Sequence, residues 1–355
     1  MGPFGAVGAG PVVRVLHDGV PEWGRREGGE ILLDSGARVP EVEAHYLAPA
    51  EPTKIMAVHL TYRSRLEEYA ARQPAEPSYF LKPPTTLNGH RGVLRRPAGT
   101  RFLNYEGELA VVIGRRMHGV PEEDALSYVA GYVCSNDVGL HDFRHADRGS
   151  MLRVKGQDGF LPMGPELVPA AEFDPTSFTL RTYLNGEVVQ EGGSDDLIFG
   201  VAYQLADLCR LITLEPGDVV LTGTPANSRP MEPGDLVEVE IDGLGRLSNT
   251  VEEWNVDLSG PGEQPETSAN TLHVALAVPE EEAERMVRGG PTTTRISVDM
   301  NLCQSNGECM RVAPEIFELG EDDVLRWKGE VDPSLSRIAH EAADACPMQA
   351  ISVED

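Results

Sequence analysis

The chain has 355 residues, enough for two or three domains, and its 57 Asp and Glu against 30 Lys and Arg give a formal net charge of −27. An acidic balance of this size supplies no basic stripe for nucleic acid and disfavours docking on anionic membranes. It favours solubility and leaves, at most, an acidic face for a basic protein partner. No run of ~18 uncharged apolar residues is present for a membrane span. The opening "MGPFGAVGAG" lacks a basic region followed by a long apolar stretch, so no signal peptide is expected, and Ala6 stands where a myristoylation motif needs Ser or Thr. Cys134, Cys209, Cys303, Cys309 and Cys346 are odd in number and unevenly spread, which fits reduced thiols and a cytoplasmic location.

Residues 1–10 are Gly-rich and expected to fray. Residues 11–50 read as short strands with turns at His17-Asp18-Gly19 and Asp34-Ser35-Gly36, so 1–52 is expected as a small β-rich domain. "IMAVHLTY" at 55–62 predicts a buried strand, and "YRSRLEEYAARQ" a helix that stops before Pro74. From about 80 to 255 β-branched runs dominate: 108–114, 218–224 and 235–242, the last two each introduced by a Pro-Gly-Asp turn. "SDDLIFGVAYQLADLCRLI" at 194–212 predicts one amphipathic helix. Residues 53–256 are thus expected as the main domain. Residues 257–293 are rich in Gly, Pro, Ser and Glu and read as a linker holding one short helix, "PEEEAERMVR". A compact unit follows over 294–355.

That last unit holds three of the five cysteines. Ferredoxins of the bacterial type bind a [4Fe–4S] cluster with Cys-x2-Cys-x2-Cys and a remote Cys-Pro. "CQSNGEC" keeps Cys303 and Cys309 but has Asn306 at the middle position, and Cys346-Pro347 supplies the remote ligand. Three thiolates leave one cube corner without sulfur, so the spacing predicts [3Fe–4S]. Gly307 lets the loop backbone approach inorganic sulfide. Zinc would want a fourth ligand, and the nearest candidate, His340, lies on a predicted helix six residues before Cys346.

A second constellation lies in "FLNYEGELAVVIGR" at 102–115. Glu106 and Glu108 are two apart, so on a strand they share a face. Buried side by side they repel unless a cation lies between them. Asp137, in "YVCSNDVGL", is a third acid beyond another strand. An all-carboxylate set favours a hard ion: Mg²⁺, Mn²⁺ or Ca²⁺. By itself Glu-x-Glu also describes an exposed strand edge.

With "FLKPPTTL" upstream, "VKGQDGFLPMGP" downstream and "ITLEPGDVVLTGTP" beyond, residues 54–253 resemble the fumarylacetoacetate hydrolase superfamily, and more closely its 2-hydroxyhepta-2,4-diene-1,7-dioate isomerase branch. The resemblance implies an α+β fold built on a mixed β-sandwich roll, usually a homodimer. It implies Glu106, Glu108 and Asp137 as metal ligands and Lys155 as a contact to substrate oxygen. It also implies Gly223 and Thr224 as the turn that holds a substrate carboxylate, and Gln190 as a glutamine near the pocket. Residues from "ISVDMNLCQSNGECMRVAPEIFEL" to "ACPMQAISVED" resemble single-cluster [3Fe–4S] ferredoxins of actinobacteria, which implies a redox partner such as a ferredoxin reductase, a cytochrome P450 or another oxygenase.

One departure stands out. Where many family members carry a His and, three residues later, a Glu that together activate water, "TYRSRLEE" has Arg65 and Glu68. Arg cannot serve as a general base, but it can clamp a second carboxylate. His59, His141 and His145 are the histidines that could take over as base, each also readable as a packing or surface residue. The expectation is an isomerase, tautomerase or decarboxylase acting on a small 2-oxo or enol diacid, with C–C hydrolysis open and Lys155, Glu68 and Arg65 as catalytic candidates. The alternative is an electron-transfer protein whose larger domain is a non-catalytic scaffold.

Overall fold

A computed structural model describes residues 10–147, 149–288, 294–300, 302–304, 306–320, 322–332 and 335–354. Of the N-terminus expected to fray over 1–10, residues 1–9 lie outside the described residues, as does the end of the expected linker over 289–293. The chain divides between Ala283 and Glu284 into two compact units.

The first unit opens with a five-stranded antiparallel sheet in the order Arg38–Pro40, Glu30–Leu33, Val20–Glu27, Val13–His17, His45–Leu47. Val13, Val15, Ile31, Leu33 and Tyr46 form its small core. Two larger sheets follow. One has seven strands in the order Ser78–Lys82, Ile55–His59, Val219–Leu221, Gly107–Ile113, Val129–Asn136, Leu161–Pro169, Leu87–Asn88. The other has five, in the order Glu187–Gly193, Thr179–Leu184, Leu236–Ile241, Gly245–Trp254, Val93–Pro97. Both are mixed, with parallel pairs between Val219–Leu221 and Ile55–His59 and between Gly245–Trp254 and Val93–Pro97.

Side-chain alternation explains why the central strand is apolar from Leu109 to Ile113. Leu109, Val111 and Ile113 enter the core shared with Leu180, Val239, Ile241 and Leu247 of the five-stranded sheet. Ala110 and Val112 enter the opposite core, with Val12, Met151 and Val154. A strand covered on both faces has no solvent side on which to place polar residues. Each Val or Leu so buried contributes about 1.5–3 kcal/mol. The rigid platform carries its two glutamates at one end.

Two predicted helices are shorter in the structure. The segment 194–212 is α-helical only over Val201–Cys209, after a 3₁₀ turn at Ser194–Asp196, because Leu197 pairs with Tyr62 as a β-bridge and Ile198 N–H donates to the Thr61 carbonyl at 2.7 Å. Gly200 then caps the helix in an extended conformation. The helix after the first core strand spans only Arg63–Glu68. The stretch expected as a linker holds two helices, Ala269–Leu276 and Glu280–Arg288. Ser268 caps the former through Thr271 N–H, and Leu272, Ala275 and Ala283 pack with Phe102. Residues 269–283 are therefore part of the first unit's packing.

The second unit pairs strand Thr294–Val298 with Ile351–Glu354 and Glu330–Val331, and adds a short hairpin, Phe317–Leu319 with Leu325–Trp327. Helices Glu308–Val312 and Ser336–Asp344 complete it around Ile296, Ile316, Phe317, Ala339 and Ala342. No helix among the described residues is long and apolar enough to cross a membrane.

Candidate active site

Glu106, Glu108 and Asp137 meet because of strand register. Gly107 opposes Asn136 and Glu108 opposes Ser135, which sets Glu106 against Asp137 where the two strands end. Asp137 N–H donates to the Glu106 carbonyl at 2.8 Å, and Glu106 N–H donates to Asn136 Oδ1 at 2.8 Å. One carboxylate oxygen from each acid lies within 4.8 Å of the others, and all three residues are buried.

Such a cluster is tolerable only with counter-charge. Lys155, at the end of helix Leu152–Lys155, donates to Glu106 Oε2 at 2.5 Å and lies 3.2 Å from Asp137 Oδ2. Asp147 places that helix by accepting from Arg153 N–H at 3.0 Å and Val154 N–H at 2.9 Å. Lys82, fully buried, donates to Asp137 and to the Phe160 carbonyl at 3.3 Å. Burial pushes the Asp137 carboxyl up, but Lys155 and Lys82 outweigh it and hold the group below its ordinary value. Glu108 differs. It accepts from Gly223 N–H at 2.7 Å and has no ion-paired cation among the described residues. Burial, then Asp137 and Glu106, push its carboxyl well above the ordinary range. An all-oxygen triad with one carboxylate short of a cation fits a hard divalent ion.

These groups lie in a cleft of about 710 Å³, with Arg65, Tyr69, His141, Arg144, Thr224 and His273 among its other lining residues. Arg65 is no surface residue: it is 4 % exposed, pairs with Glu68 at 2.7 Å and Glu106 at 3.4 Å, and lies over the Tyr69 ring. Glu68 is held in addition by Arg229 at 2.7 Å and by Asn227 N–H at 3.1 Å. Arg144 also lines the cleft but makes no ion pair among the described residues; it donates to Met151 Sδ at 3.7 Å.

Two expectations for the turn after Leu221 change. Gly223 N–H is spent on Glu108, so Thr224 is what the turn presents to the cleft. Gly223 has φ +96°, and a Cβ there would meet Thr61 Oγ1 at 1.9 Å, which requires glycine. Gln190 does not line the cleft. Its Oε1 accepts from Gly107 N–H at 3.1 Å and Thr182 Oγ1 at 2.9 Å. Its Nε2 donates to Thr224 Oγ1 at 3.0 Å and to the Pro225 and Ala226 carbonyls at 3.0 and 3.1 Å. With every amide group engaged, Gln190 acts through Thr224 by bracing it.

In the second unit Cys303, Asn306, Gly307, Cys309 and Cys346 line one cavity. Cys309 lies in the core, while Cys303 and Cys346 pack against it. Burial pushes the Cys309 thiol up, and neighbouring Cys303 and Cys346 add to this if charged. Gly307 has φ +79°, at the turn into helix Glu308–Val312. His340 is exposed and not part of the cavity. Three thiols that line one cavity, with no imidazole among the described residues lining it, suit an iron–sulfur cluster better than zinc.

Residues 54–252 match the family profile described as the C-terminal domain of fumarylacetoacetate hydrolase. The chain belongs to the fumarylacetoacetate hydrolase family. Residues 296–353 match a profile described as a 4Fe-4S single cluster domain, so the second unit is a ferredoxin-type domain. The chain is 41% identical over 222 residues to a protein of Archaeoglobus fulgidus, covering 62% of this chain and 88% of the relative. It is 39% identical over 243 residues to the 4-hydroxyphenylacetate degradation bifunctional isomerase/decarboxylase of Escherichia coli, covering 68% of this chain but 55% of that longer protein. Among solved structures, the 5-carboxymethyl-2-hydroxymuconate delta-isomerase of Mycobacterium smegmatis superposes with a TM-score of 0.62 at 33% identity, covering 69% of this chain and all of that one. The fumarylacetoacetate hydrolase fold expected from the sequence is thus present, with a ferredoxin-type domain after it. Lys82, Arg144 and His273 are cleft or floor residues that sequence reading missed. Lys82 had a signal, as the lysine of "FLKPPTTL", and the helix that carries His273 had one in the capping pair Ser268 and Thr271.

Proposed function

We propose that the first unit is a divalent-metal-dependent enzyme that forms the enol or enolate of a small 2-oxo dicarboxylate, as an isomerase or decarboxylase does. The observation that carries this reading is the convergence of Glu106, Glu108 and Asp137 beside Lys155 on the floor of an open cleft. Mg²⁺ or Mn²⁺ held by the three carboxylates would supply Lewis-acid stabilisation of developing negative charge. Lys155 adds a fixed positive charge at the same place, shielded from water. Thr224, braced by Gln190, offers a hydroxyl to the substrate carboxylate. Arg144 and Arg65 form the cationic wall for a second carboxylate, with Arg144 the freer of the two. Glu68, held by two arginines, is poorly placed to take a proton from water, which disfavours hydrolysis. The relatives named as isomerases and bifunctional isomerase/decarboxylases support the same class.

The second unit is proposed to carry a [3Fe–4S] cluster on Cys303, Cys309 and Cys346 and to pass single electrons to a redox partner such as an oxygenase. Asn306 at the cavity wall, where a fourth thiolate would otherwise stand, supports the three-iron form.

The test is Glu108→Ala measured by calorimetry. Mg²⁺ and Mn²⁺ binding should be lost, and metal-dependent ketonisation of 2-hydroxy-2,4-dienoates should fall to background, with the EPR signal of the cluster unchanged. Unaltered metal affinity in that variant would place the ion elsewhere.

A further inference from the structure

His141 begins the short turn His141–Phe143, anchored by its own N–H on the Phe102 carbonyl at 2.9 Å. Its ring lines the cleft, the residue is 1 % exposed, and neither ring nitrogen has a hydrogen-bond partner. Leaving two buried polar atoms unpaired costs their desolvation without compensation, a cost that a ligand's polar groups would remove. The other cleft histidines are engaged: His59 Nδ1 with Ser78 Oγ at 3.1 Å, His273 Nδ1 with the Val278 carbonyl at 2.7 Å. His145 does not line the cleft; its Nε2 lies 3.7 Å from Glu263 and Glu266, while its Nδ1 is unpartnered among the described residues. Burial, then Lys155, Arg144 and Arg65, hold the His141 ring well below its ordinary pKa, so it is the neutral imidazole, with one nitrogen free to accept a proton.

From this geometry, and resting on the enolisation reading above, we propose that His141 is the proton-transfer group of this site. Its unprotonated nitrogen takes a proton from carbon 3 of a 2-oxo dicarboxylate. The C3–H electron pair becomes the C2=C3 bond, and the C2=O π pair moves onto oxygen. The imidazolium then returns the proton to carbon 3. Where a C4=C5 bond is conjugated, it returns the proton to carbon 5 instead, leaving C2=O and C3=C4. Nothing is oxidised and no co-reactant is consumed. Lys155 and Arg144 make the imidazolium short-lived, which favours return of the proton to carbon. The role that Arg65 cannot fill thus passes to a residue on a different segment.

The experiment is hydrogen–deuterium exchange at carbon 3 of 2-oxoglutarate in D₂O, followed by proton NMR, with the full chain and Mg²⁺. Wild type should exchange. His141→Gln should slow exchange by roughly 10²–10⁴-fold while Mg²⁺ and oxalate affinities stay within about threefold, and added imidazole should restore part of the rate. Independently of turnover, the ring ¹⁵N resonances of His141 in wild type should shift when oxalate is added. Exchange by wild type that His141→Gln leaves intact, or unmoved His141 resonances in the oxalate complex, overturns the role of His141 alone. Absence of any exchange by wild type overturns the enolisation reading and this proposal together.

Discussion

The carboxylate site and the cysteine cavity solve the same problem, holding like-charged ligands together, in opposite ways. Glu106, Glu108 and Asp137 sit at strand ends in a doubly covered sheet, and Lys155, Lys82 and Arg65 already offset the charge of Glu106 and Asp137. The three cysteines come from a loop, a five-residue helix and the end of another helix in a unit of 72 residues, Glu284–Asp355, and Cys309 is part of its apolar core with Cys303 and Cys346 packed against it. A domain of that size buries only about 60% of its chain's surface and commonly depends on a metal for stability. The first site should therefore persist without its ion, whereas the second unit should not persist without its cluster.

The sharpest test of this contrast removes each inorganic group in turn. Stripping iron, or Cys309→Ser, should abolish amide protection in Thr294–Val298 and Ile351–Glu354 by hydrogen exchange. Chelating the divalent ion with EDTA should leave amides in Gly107–Ile113 fully protected. C-terminal strands that stay protected without iron would break the comparison. Next in size, Asn306→Cys should convert the cluster: anaerobically purified wild type is expected to show an oxidised [3Fe–4S] EPR signal, and the variant should shift toward [4Fe–4S]. Stoichiometric zinc without iron in wild type would remove the premise.

Within the first unit the comparison narrows to two arginines. Arg144 makes no ion pair among the described residues, and a charge-assisted contact to a distal carboxylate contributes about 1.5–3 kcal/mol. Arg144→Ala should lower kcat/KM for 2-oxo diacids by roughly 10–100-fold and spare monoacids. Arg65→Ala should lower both, because it also releases Glu106 and Glu68. Equal losses on both substrate classes for Arg144→Ala would assign the distal carboxylate to another group.

The sequence was most legible where local pattern and tertiary demand agree. "GELAVVI" and "LVEVEI" are strands by composition and strands in the structure. Glu106, Glu108 and Asp137 could be singled out as Glu-x-Glu and an acid beyond the next strand, and Lys155 only through the family resemblance of "VKGQDGFLPMGP"; the structure brings the four together. What failed depended on distant partners. Amphipathic periodicity over 194–212 could not reveal that Leu197 is claimed by Tyr62. A Gly- and Pro-rich composition hid the helix Ala269–Leu276 and with it His273, although Ser268 and Thr271 already formed a capping pair. Gln190 reads as a pocket residue in sequence, and only its complete set of hydrogen bonds shows it to be a brace.

The cleft is set in a chain of net charge −27, and the two act at different ranges. Far from the surface a dianion meets a repelling field; inside the cleft Lys155, Arg65 and Arg144 stand against Glu106, Glu108, Asp137 and Glu280, so attraction would begin only where a bound divalent ion adds its charge. Mobile ions screen charges in open solvent beyond about 10 Å at 0.1 M salt, and buried ones much less. Added salt should therefore weaken the repulsion more than the capture. The association rate of a 2-oxo diacid should rise with ionic strength up to about 0.1 M, opposite to an enzyme that steers its substrate from afar. The protein trades rapid long-range recruitment for selectivity at the mouth of the cleft, where an anion must already be close before it is attracted.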